Sequence, residues 1–339
     1  MRIGIDFMGG EQSPLLLFQA ILDVVEKVDS NVELYVLALP SIVKELESFS
    51  DLNFPISLRK VVRFIVAEDL ISMEDSPLLA VRRKKKSTLA EGVRLLKEKF
   101  LDAFVSTGNT GALVAYSSIL LPMLPGIERP ALLAFVPSIG RPVSVLDVGA
   151  STQNRWKSLV QYSFMGAAHQ RCCNKVKVPR VGLLNIGTEP IKGTEEIRRA
   201  YKELKAYSTE HPEVFSFLGN VEGREVFQGK VDVLVTNGFA GNVFLKTSEG
   251  VSSFVFNCIE KEFPDKSPEK LQDILNFFSK YLVYEQYSGA ILCGVDALII
   301  KCHGHSSPKA LANAILNACD LQKDQFLLNL KEFLSSVCI

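Results

Sequence analysis

The 339-residue chain has no excess charge of either sign, because 38 lysine and arginine residues balance 38 aspartate and glutamate residues. General nucleic-acid binding is therefore excluded, since it needs a basic surface. The seven cysteines are scattered without CxxC spacing, which indicates reduced thiols in a cytoplasmic protein and offers no metal site. No apolar run approaches the roughly 20 residues of a transmembrane helix. Met1 and Arg2 lead directly into a predicted strand, so no signal peptide is expected.

Nucleotide-binding fingerprints are also missing from the sequence. No GxGxxG follows the first predicted strand, and no Walker A lysine motif occurs, so neither dinucleotide nor nucleotide binding is indicated. The apolar fraction of 47% is ample for a buried core. The length suits about two domains or one large α/β domain, and we interpret 1–339 as a single domain.

Short apolar segments that alternate with helical segments are typical of a mostly parallel sheet covered by helices on both faces. A long helix is expected to begin at Ser76 and Pro77 and to run to about residue 100. A helical excursion is expected at about 243–286, and 290–300 is apolar strand material. The clearest strands are 2–7, 103–106, 143–148, 181–186 and 231–235.

The ends of the predicted strands repeatedly carry glycine together with asparagine or aspartate. Sheets of this class bind ligands beyond the carboxyl ends of their strands. One such loop is an ordinary turn, but six on one predicted edge indicate a site where backbone lies close to ligand. The six are Asp6–Gly10, Gly108–Asn109, Asp147–Gly149, Asn185–Gly187, Gly219–Asn220 and Gly238–Asn242.

The loop after strand 181–186 is a candidate anion site. It carries Lys192 and ends on Gly193, and Thr194 is expected to cap the helix that follows. Free backbone N–H groups and the helix dipole favour negative charge there, and a lysine adds a point charge suited to phosphate. Taken alone, Lys192 is better explained as a solvated loop lysine than as a ligand.

Three other motifs also have ordinary structural explanations. Thr107–Gly111 can be a plain strand-to-helix turn with Asn109 or Thr110 as the cap. His303 can be a cap or a histidine at the edge of the core. The basic run Arg82–Lys86 is most simply a solvated stretch of helix, although five consecutive charges cover all sides of a helix.

Taken together, these motifs resemble one family, the acyl-acyl-carrier-protein:phosphate acyltransferases (PlsX) of bacterial phospholipid synthesis. The resemblance spans essentially the whole chain. The matching segments are Ile5–Gly10, Ser106–Leu113, Gly126–Ala131, Leu146–Ala150, Pro179–Gly187, Gly219–Arg224, Gly238–Asn242 and Lys301–Gly304.

This resemblance implies a three-layer α/β/α fold like that of phosphotransacetylases and isocitrate-type dehydrogenases, working as a homodimer. It implies transfer of a long acyl chain from acyl carrier protein to inorganic phosphate, with no cofactor and no metal. The family's active-site lysine and asparagine fall on Lys192 and Asn242. We expect Asn242 to donate to the oxyanion or to phosphate. His303 is a third catalytic candidate, as a phosphate ligand or as the proton source for the departing thiolate.

The remaining expected substrate-binding residues lie in the strand-end loops, with Gly187 and Gly193 assigned to phosphate through their N–H groups. The run Arg82, Arg83, Lys84, Lys85 and Lys86 is interpreted as the docking surface for acyl carrier protein. A membrane glycerol-3-phosphate acyltransferase is the implied downstream partner, and peripheral contact with the inner membrane is left open. The loop residues are Asp6, Gly9, Gly10, Gly108, Asn109, Thr110, Gly111, Asn185, Gly187, Gly193, Asn237, Gly238, Gly241 and Ser306.

The chain departs from the family's usual motifs at several positions. Phe7 and Glu11 stand in the places of alanine and aspartate, Gln153 replaces an aspartate, and Asn237 replaces another. If one of the missing carboxylates orients Lys192 or a water, turnover would be reduced.

Three other functions are considered. A non-catalytic or weakened scaffold that binds acyl carrier protein is one alternative, and a short-chain phosphotransacetylase is another. A dehydrogenase of the related fold is disfavoured by the lack of an acidic metal-ligand cluster. The apolar residues that suit an acyl chain, a dimer seam or a membrane contact are Phe254, Val255, Phe256, Phe277 and Phe278.

Overall fold

A computed structural model of the chain describes residues 1–29, 31–53, 61–152, 155–262 and 289–337. They group into two compact units, Met1–Pro130 with Ser288–Cys338 and Ala131–Tyr287. The single domain expected from the sequence stays a prediction. Gln153, Phe277 and Phe278 lie outside the described residues.

The first unit is a mostly parallel sheet with the strand order β3-β2-β1-β4-β11-β10, in which only the β10–β11 pair is antiparallel. Its strands, numbered in chain order, are β1 (Arg2–Asp6), β2 (Glu33–Ala38), β3 (Val62–Val66), β4 (Ala103–Ser106), β10 (Ala290–Cys293) and β11 (Leu298–Lys301). Its helices are α1 (Pro14–Val25), α2 (Pro40–Asn53), α3 (Pro77–Arg83), α4 (Thr88–Lys97), α5 (Thr110–Leu120), α10 (Pro308–Lys323) and α11 (Phe326–Ser336).

The second unit has the strand order β5-β6-β9-β7-β8, in which only the β5–β6 pair is antiparallel. Its strands are β5 (Ala131–Val136), β6 (Val143–Leu146), β7 (Arg180–Leu184), β8 (Ser216–Val221) and β9 (Val233–Val235). Its helices are α6 (Trp156–Cys173), α7 (Glu195–Glu210), α8 (Gly223–Val226) and α9 (Gly238–Glu262). The predicted α/β class with a mostly parallel sheet is confirmed.

Parallel pairing brings the strand-end loops together at one edge of each sheet. In the first unit β1, β4 and β11 are neighbours, so the loops after Asp6, Ser106 and Lys301 share the carboxyl edge. In the second unit β6, β9 and β7 are neighbours, which places the loops after Leu146 and Val235 beside the Lys192 loop. The clustering inferred from the sequence holds within each unit.

The long helix expected from Ser76 to about residue 100 is wrong, because the structure has two helices there. Helix α3 ends at Arg83, and α4 begins at Thr88 with Ser87 as its N-cap, whose Oγ accepts the N–H of Ala90 at 3.3 Å. The break is fixed by tertiary hydrogen bonds. The Tyr116 hydroxyl donates to the Lys84 carbonyl at 2.8 Å, and Lys84 Nζ donates to the Leu70 carbonyl at 2.9 Å.

Segment 290–300 is a hairpin of two strands rather than one, with Gly294 at a φ of +101° between them. The predicted helix from residue 243 begins earlier, at Gly238, and extends to Glu262. The rest of the expected excursion lies outside the described residues. Among the helices that the structure describes, none has the length and apolar character needed to cross a membrane.

One histidine is built into the core of the second unit. His169 on α6 is fully buried, and its Nδ1 lies 3.1 Å from Ser144 Oγ, which also accepts Gln170 Nε2–H at 3.0 Å. The Phe135 ring packs against the His169 imidazole, with the two ring centroids 5.0 Å apart. Burial lowers the pKa of His169 to about 4, so the imidazole is neutral in the folded protein.

We expect acid to destabilise the protein through His169. Between about pH 6.5 and pH 4 the unfolded chain binds a proton that the folded chain does not, so stability falls as the pH falls. From about pH 7 to pH 5 this loss amounts to about 2 kcal/mol of unfolding free energy. Urea unfolding of His169→Gln, which cannot titrate, should show that much less pH dependence than wild type. His305→Gln, at an exposed imidazole, is the control, and identical slopes for His169→Gln and wild type would contradict the assignment.

Candidate active site

Asp147 organises the carboxyl edge of the second unit. It follows β6 directly and is fully buried. Its Oδ1 accepts N–H groups from Leu132, Gly149 and Ala150 at 3.0, 3.0 and 2.8 Å, and its Oδ2 accepts that of Ser151 at 2.9 Å. Burial raises the pKa of Asp147, and the backbone donors oppose that rise. The loop is folded around this carboxyl group.

The first turn of α9 lies directly on the Asp147 loop. A Cβ at Gly241 would overlap the Asp147 carbonyl oxygen, and a Cβ at Gly238 would lie 2.6 Å from Asp147 Oδ2. Glycine is therefore required at both positions by close approach of backbone. Asn237 begins the helix, because its Oδ1 accepts the N–H of Ala240 at 2.8 Å. The amide oxygen of Asn237 is thus committed to the helix start.

Asn242 stands one turn into α9 with its amide available. The side chain is partly exposed, and among the described residues no hydrogen bond engages it. A Cβ built at Gly149 would lie 3.9 Å from Asn242 Oδ1, so the amide sits above the glycine of the Asp147 loop. The Asn242 amide is therefore available to donate a hydrogen bond to a ligand.

The Lys192 loop is held by three side chains that donate to its carbonyl groups. Asn220 Nδ2 donates to the Glu189 carbonyl at 2.7 Å, Asn185 Nδ2 to that of Lys192 at 3.1 Å, and Arg198 to that of Gly193 at 2.7 Å. Thr194 caps α7 as predicted, with Oγ1 accepting the N–H of Ile197 at 3.4 Å. Three side-chain hydrogen bonds therefore hold the loop backbone in place.

Lys192 itself is left in solvent. Its side chain is 45% exposed, and its only ion pair among the described residues is with Glu189, at a Nζ–Oε1 distance of 4.0 Å. A pair at that distance between exposed groups contributes little to stability. A phosphate that reached Nζ would therefore displace only a weak contact.

Asp6 in the first unit is fully buried, and both of its carboxylate oxygens are hydrogen-bonded within the protein. Its assignment to substrate binding stays a prediction. Its Oδ1 accepts the N–H of Met8 at 3.0 Å, and its Oδ2 accepts Ser106 Oγ–H at 2.8 Å. Burial raises the pKa of Asp6 to about 6, and the Ser106 hydrogen bond is the largest opposing effect. Asp6 thus organises the loops after β1 and β4, as Asp147 does in the second unit.

Asn109 is the N-cap of α5, one of the two caps expected for this turn. Its Oδ1 accepts the N–H of Ala112 at 3.0 Å. Its Nδ2 donates to the carbonyls of Ser72, Met73 and Asp75 at 3.1, 3.4 and 3.2 Å. The Asn109 side chain is therefore fully engaged, whereas the backbone around Gly108 and Thr110 is available to a ligand.

The loop after β11 closes on the loop after β1. The Glu11 N–H donates to the Gly304 carbonyl at 2.7 Å, and the rings of His303 and His305 stack with centroids 5.5 Å apart. Ser306 is buried, and its N–H donates to the His303 carbonyl at 3.1 Å. Thr107 Oγ1 is buried without a hydrogen-bond partner in the described part of the chain. Sequence reasoning did not single out this hydroxyl.

The predicted basic docking run is divided by the helix break. Lys84 is paired with Asp75 at 2.7 Å, and Lys86 with Glu68 at 2.7 Å. Arg82, Arg83 and Lys85 are exposed and have no partner in the described ranges. Only three of the five charges are available to another molecule.

Sequence comparisons identify the family. A family model described as "Fatty acid synthesis protein" matches residues 1–329. The "Phosphate acyltransferase" of Chlamydia caviae is 39% identical over 326 residues, covering 95% of this chain and 96% of that protein. The protein of the same name from Halothermothrix orenii is 38% identical over 321 residues and 93% of both chains.

The chain belongs to the phosphate acyltransferase (PlsX) family. It is an acyltransferase that transfers acyl groups to phosphate for phospholipid synthesis. Solved structures support the fold: a phosphotransacetylase from Streptococcus pyogenes has a TM-score of 0.62 at 14% identity, covering 95% of this chain and 94% of that one. The EutD phosphotransacetylase from Staphylococcus aureus has a TM-score of 0.58 at 16% identity and 94% of both chains.

Two departures from the usual phosphate acyltransferase motifs have structural explanations. Phe7 is buried in the core, where its ring meets that of Phe18 edge-on with the ring centroids 6.5 Å apart. Asn237 is a helix cap, a role that asparagine fills as well as aspartate does.

Sequence reasoning missed the residues that position the site. Asp147 and Asn220 lie in predicted strand-end loops, but the sequence does not predict that they position other residues, and it predicts no role for Arg198. A polar residue at a strand end beside glycine was the available signal for Asp147 and Asn220. Nothing in the sequence distinguishes Arg198, which donates to the Gly193 carbonyl, from its neighbour Arg199, which stacks on Trp156 with the guanidinium 4.1 Å from the ring centre.

Gly241→Ala is expected to destabilise the protein by about 2 kcal/mol or more, because the new methyl group overlaps the Asp147 carbonyl and forces α9 off its loop. Gly250→Ala on the same helix is the matched control, since no atom lies within 4 Å of a Cβ there. That control should stabilise by about 0.5–1 kcal/mol through helix propensity. Urea unfolding measures both, and equal stability of the two variants would remove the close-packing argument.

Proposed function

We propose that the enzyme transfers a long acyl chain from acyl carrier protein to inorganic phosphate, with Lys192 and Asn242 as its catalytic residues. Lys192 lies on the loop after β7, and Asn242 lies near the start of α9, which follows the neighbouring parallel strand β9 at the carboxyl edge of the second unit. They are the polar side chains on that edge that the family resemblance assigns to catalysis.

One observation carries this assignment: the polar candidates divide into engaged and available side chains. The side chains of Asp6, Asn109, Asn185 and Asn237 are used in holding loops or helix starts. Lys192 and Asn242 are not used in that way. Because a buried polar group must be satisfied by the fold, the groups left partly exposed and unsatisfied are the ones a ligand can take.

The reaction needs no protein nucleophile. Hydrogen phosphate is already anionic near neutral pH, and one of its oxygens attacks the thioester carbonyl carbon. A tetrahedral oxyanion forms, the C–S bond breaks, and the proton lost by hydrogen phosphate ends on the departing thiol. The protein therefore supplies position and charge stabilisation, of which positioning can contribute roughly 7–11 kcal/mol in favourable cases.

Lys192 binds phosphate in this proposal, together with the N–H groups of Gly187 and Gly193. Lysine suits phosphate as a compact point charge, and the three clamping side chains hold the loop that presents it. Asn242 donates to the developing oxyanion, a contact worth about 3–4 kcal/mol when well placed. His303 keeps its role as a phosphate ligand or proton carrier. The backbone of Gly9, Gly10, Gly108, Thr110 and Gly111 is proposed to contact substrate.

The partners follow from the substrate. Acyl carrier protein delivers the acyl chain, and the product is a reactive mixed anhydride that a membrane glycerol-3-phosphate acyltransferase would consume. A homodimer and peripheral contact with the inner membrane are parts of the same proposal. They rest on the family resemblance.

Lys192→Met should abolish acyl-phosphate formation while leaving the fold intact. Loss of one phosphate contact removes several kcal/mol of transition-state stabilisation, so the rate should fall by about 100-fold or more. The assay incubates palmitoyl-acyl carrier protein with phosphate and traps acyl phosphate with hydroxylamine. The control Lys205→Met removes an exposed lysine of α7 and should retain wild-type activity.

Three results would count against this proposal. Activity of Lys192→Met within about threefold of wild type would remove Lys192 from the site. No product from palmitoyl-acyl carrier protein with rapid turnover of acetyl-CoA would instead indicate a short-chain phosphotransacetylase. No product from either would support the scaffold alternative.

Asn242→Ala is expected to lower kcat more than it raises the KM for phosphate. A donor aimed at charge that develops in the transition state acts mainly there, so a fall in kcat of about 100-fold is expected. Steady-state kinetics over a range of phosphate concentrations separates the two effects. A raised KM with unchanged kcat would show that Asn242 is only a ground-state phosphate ligand.

A further inference from the structure

Helix α3 presents an apolar and basic surface to solvent. Leu78 is 69% exposed and Leu79 is 50% exposed. Arg82 and Arg83 follow each of them by one helical turn, so each leucine lies beside one arginine on the helix surface. Lys85 comes directly after the helix. We call Leu78, Leu79, Arg82, Arg83 and Lys85 the α3 surface.

The charges of the α3 surface are uncommitted. Arg82, Arg83 and Lys85 make no ion pair or hydrogen bond through their side chains within the described ranges. The neighbouring Lys84 and Lys86 are paired with Asp75 and Glu68. Asp75 and Glu68 are thus already paired, whereas Glu74 is exposed. The surface keeps three free cations in a chain with zero net charge.

The α3 surface is attached to the strand-end loops of the first unit. Asn109 donates to three carbonyls of the segment that leads into α3, those of Ser72, Met73 and Asp75. A Cβ at Gly111 would lie 2.6 Å from Pro77 Cγ, so α3 begins in contact with the turn that follows β4. A molecule seated on α3 is therefore placed beside the Gly108–Gly111 loop.

We infer that the α3 surface is the docking site for the acyl carrier protein, an inference that rests on the proposed function. Acyl carrier protein is small, helical and acidic, and its charges complement the two arginines and the lysine. The two leucines add an apolar contact of the kind found at the centre of protein interfaces. Lys84 is excluded from the docking surface because it is partly buried in its pair with Asp75, and the charge of Lys86 is balanced by the exposed Glu68.

The charges and the leucines should act on different steps of binding. Exposed cations steer an acidic partner over long range, and the effect fades as salt shortens the Debye length to about 8 Å at physiological ionic strength. The leucines contact the partner only after it has docked, so they control mainly the rate at which it leaves. Salt dependence therefore separates the two contributions.

The test compares two double charge reversals of equal size. Arg82→Glu with Lys85→Glu changes the α3 surface. Lys44→Glu with Lys97→Glu changes two exposed lysines elsewhere on the first unit. At low salt the α3 variant should raise the KM for palmitoyl-acyl carrier protein by about tenfold or more, with kcat unchanged. It should leave turnover of the octanoyl thioester of N-acetylcysteamine unchanged, and its salt dependence should be flatter than that of wild type.

Direct binding of holo-acyl carrier protein, measured by titration calorimetry, separates this inference from the proposed function. Reduced binding by the α3 variant alone would support the docking site, whether or not wild type makes acyl phosphate. Equal weakening by both double variants would show an effect of net charge only and would overturn the inference. Unchanged binding by the α3 variant would do the same.

Leu78→Ser with Leu79→Ser is the second variant. It should weaken binding of acyl carrier protein while keeping the wild-type salt slope. Flotation with phosphatidylglycerol vesicles tests the competing occupant of the surface. Loss of vesicle binding in either α3 variant, with carrier-protein binding intact, would assign the α3 surface to membrane and refute the docking site.

Discussion

A carboxylate buried at the end of a strand needs hydrogen-bond donors, and in this chain the backbone of the following loop supplies them. Asp147 takes N–H groups from Gly149, Ala150 and Ser151 as well as from Leu132. Asp6 takes the Met8 N–H and the Ser106 hydroxyl. An unpaired buried charge is costly, so each loop can fold only in the way that satisfies its aspartate. The carboxyl edges of both sheets follow from this requirement, and the first turn of α9 is then packed on the loop that Asp147 has shaped.

Much of the fold could be predicted from the sequence, because apolar strand cores and glycine-bearing strand ends are local signals. The element boundaries were harder where tertiary contacts decide them. The break between α3 and α4 depends on Tyr116 and Lys84 reaching across to other segments, and only Ser87, a good N-cap residue, marked it locally. Gly294 is a local sign of the hairpin at 290–300. The apolar residues on both sides of it nevertheless resemble one continuous strand.

The sequence predicts which loops form the candidate site, but it does not predict the role of each polar residue in those loops. Asparagine and aspartate carry the same signal whether they cap a helix, clamp a loop or face a ligand, since all three uses require a short polar side chain near glycine. Asn109 and Asn237 cap helices, and Asn185 and Asn220 clamp the Lys192 loop. Of these five strand-end asparagines, Asn242 is the one whose side chain makes no hydrogen bond within the described part of the chain. The hydrogen bonds that distinguish these roles join residues that are distant in the sequence. Asn220 on β8, for example, donates to the carbonyl of Glu189 in the loop after β7.

The same division explains why a changed motif need not change the reaction. A residue that acts through its shape or as a hydrogen-bond acceptor tolerates a neutral replacement. Asn237, for example, accepts the Ala240 N–H through its side-chain oxygen, as an aspartate carboxylate would. A residue that acts through its charge does not tolerate such a replacement. Near a phosphate dianion an additional carboxylate is repulsive, by about 1 kcal/mol for two unit charges 4 Å apart in water and more in a less polar site. If phosphate binds at that edge of the sheet, as proposed, replacing aspartate by asparagine at the helix start keeps the cap and lowers the electrostatic cost of binding it.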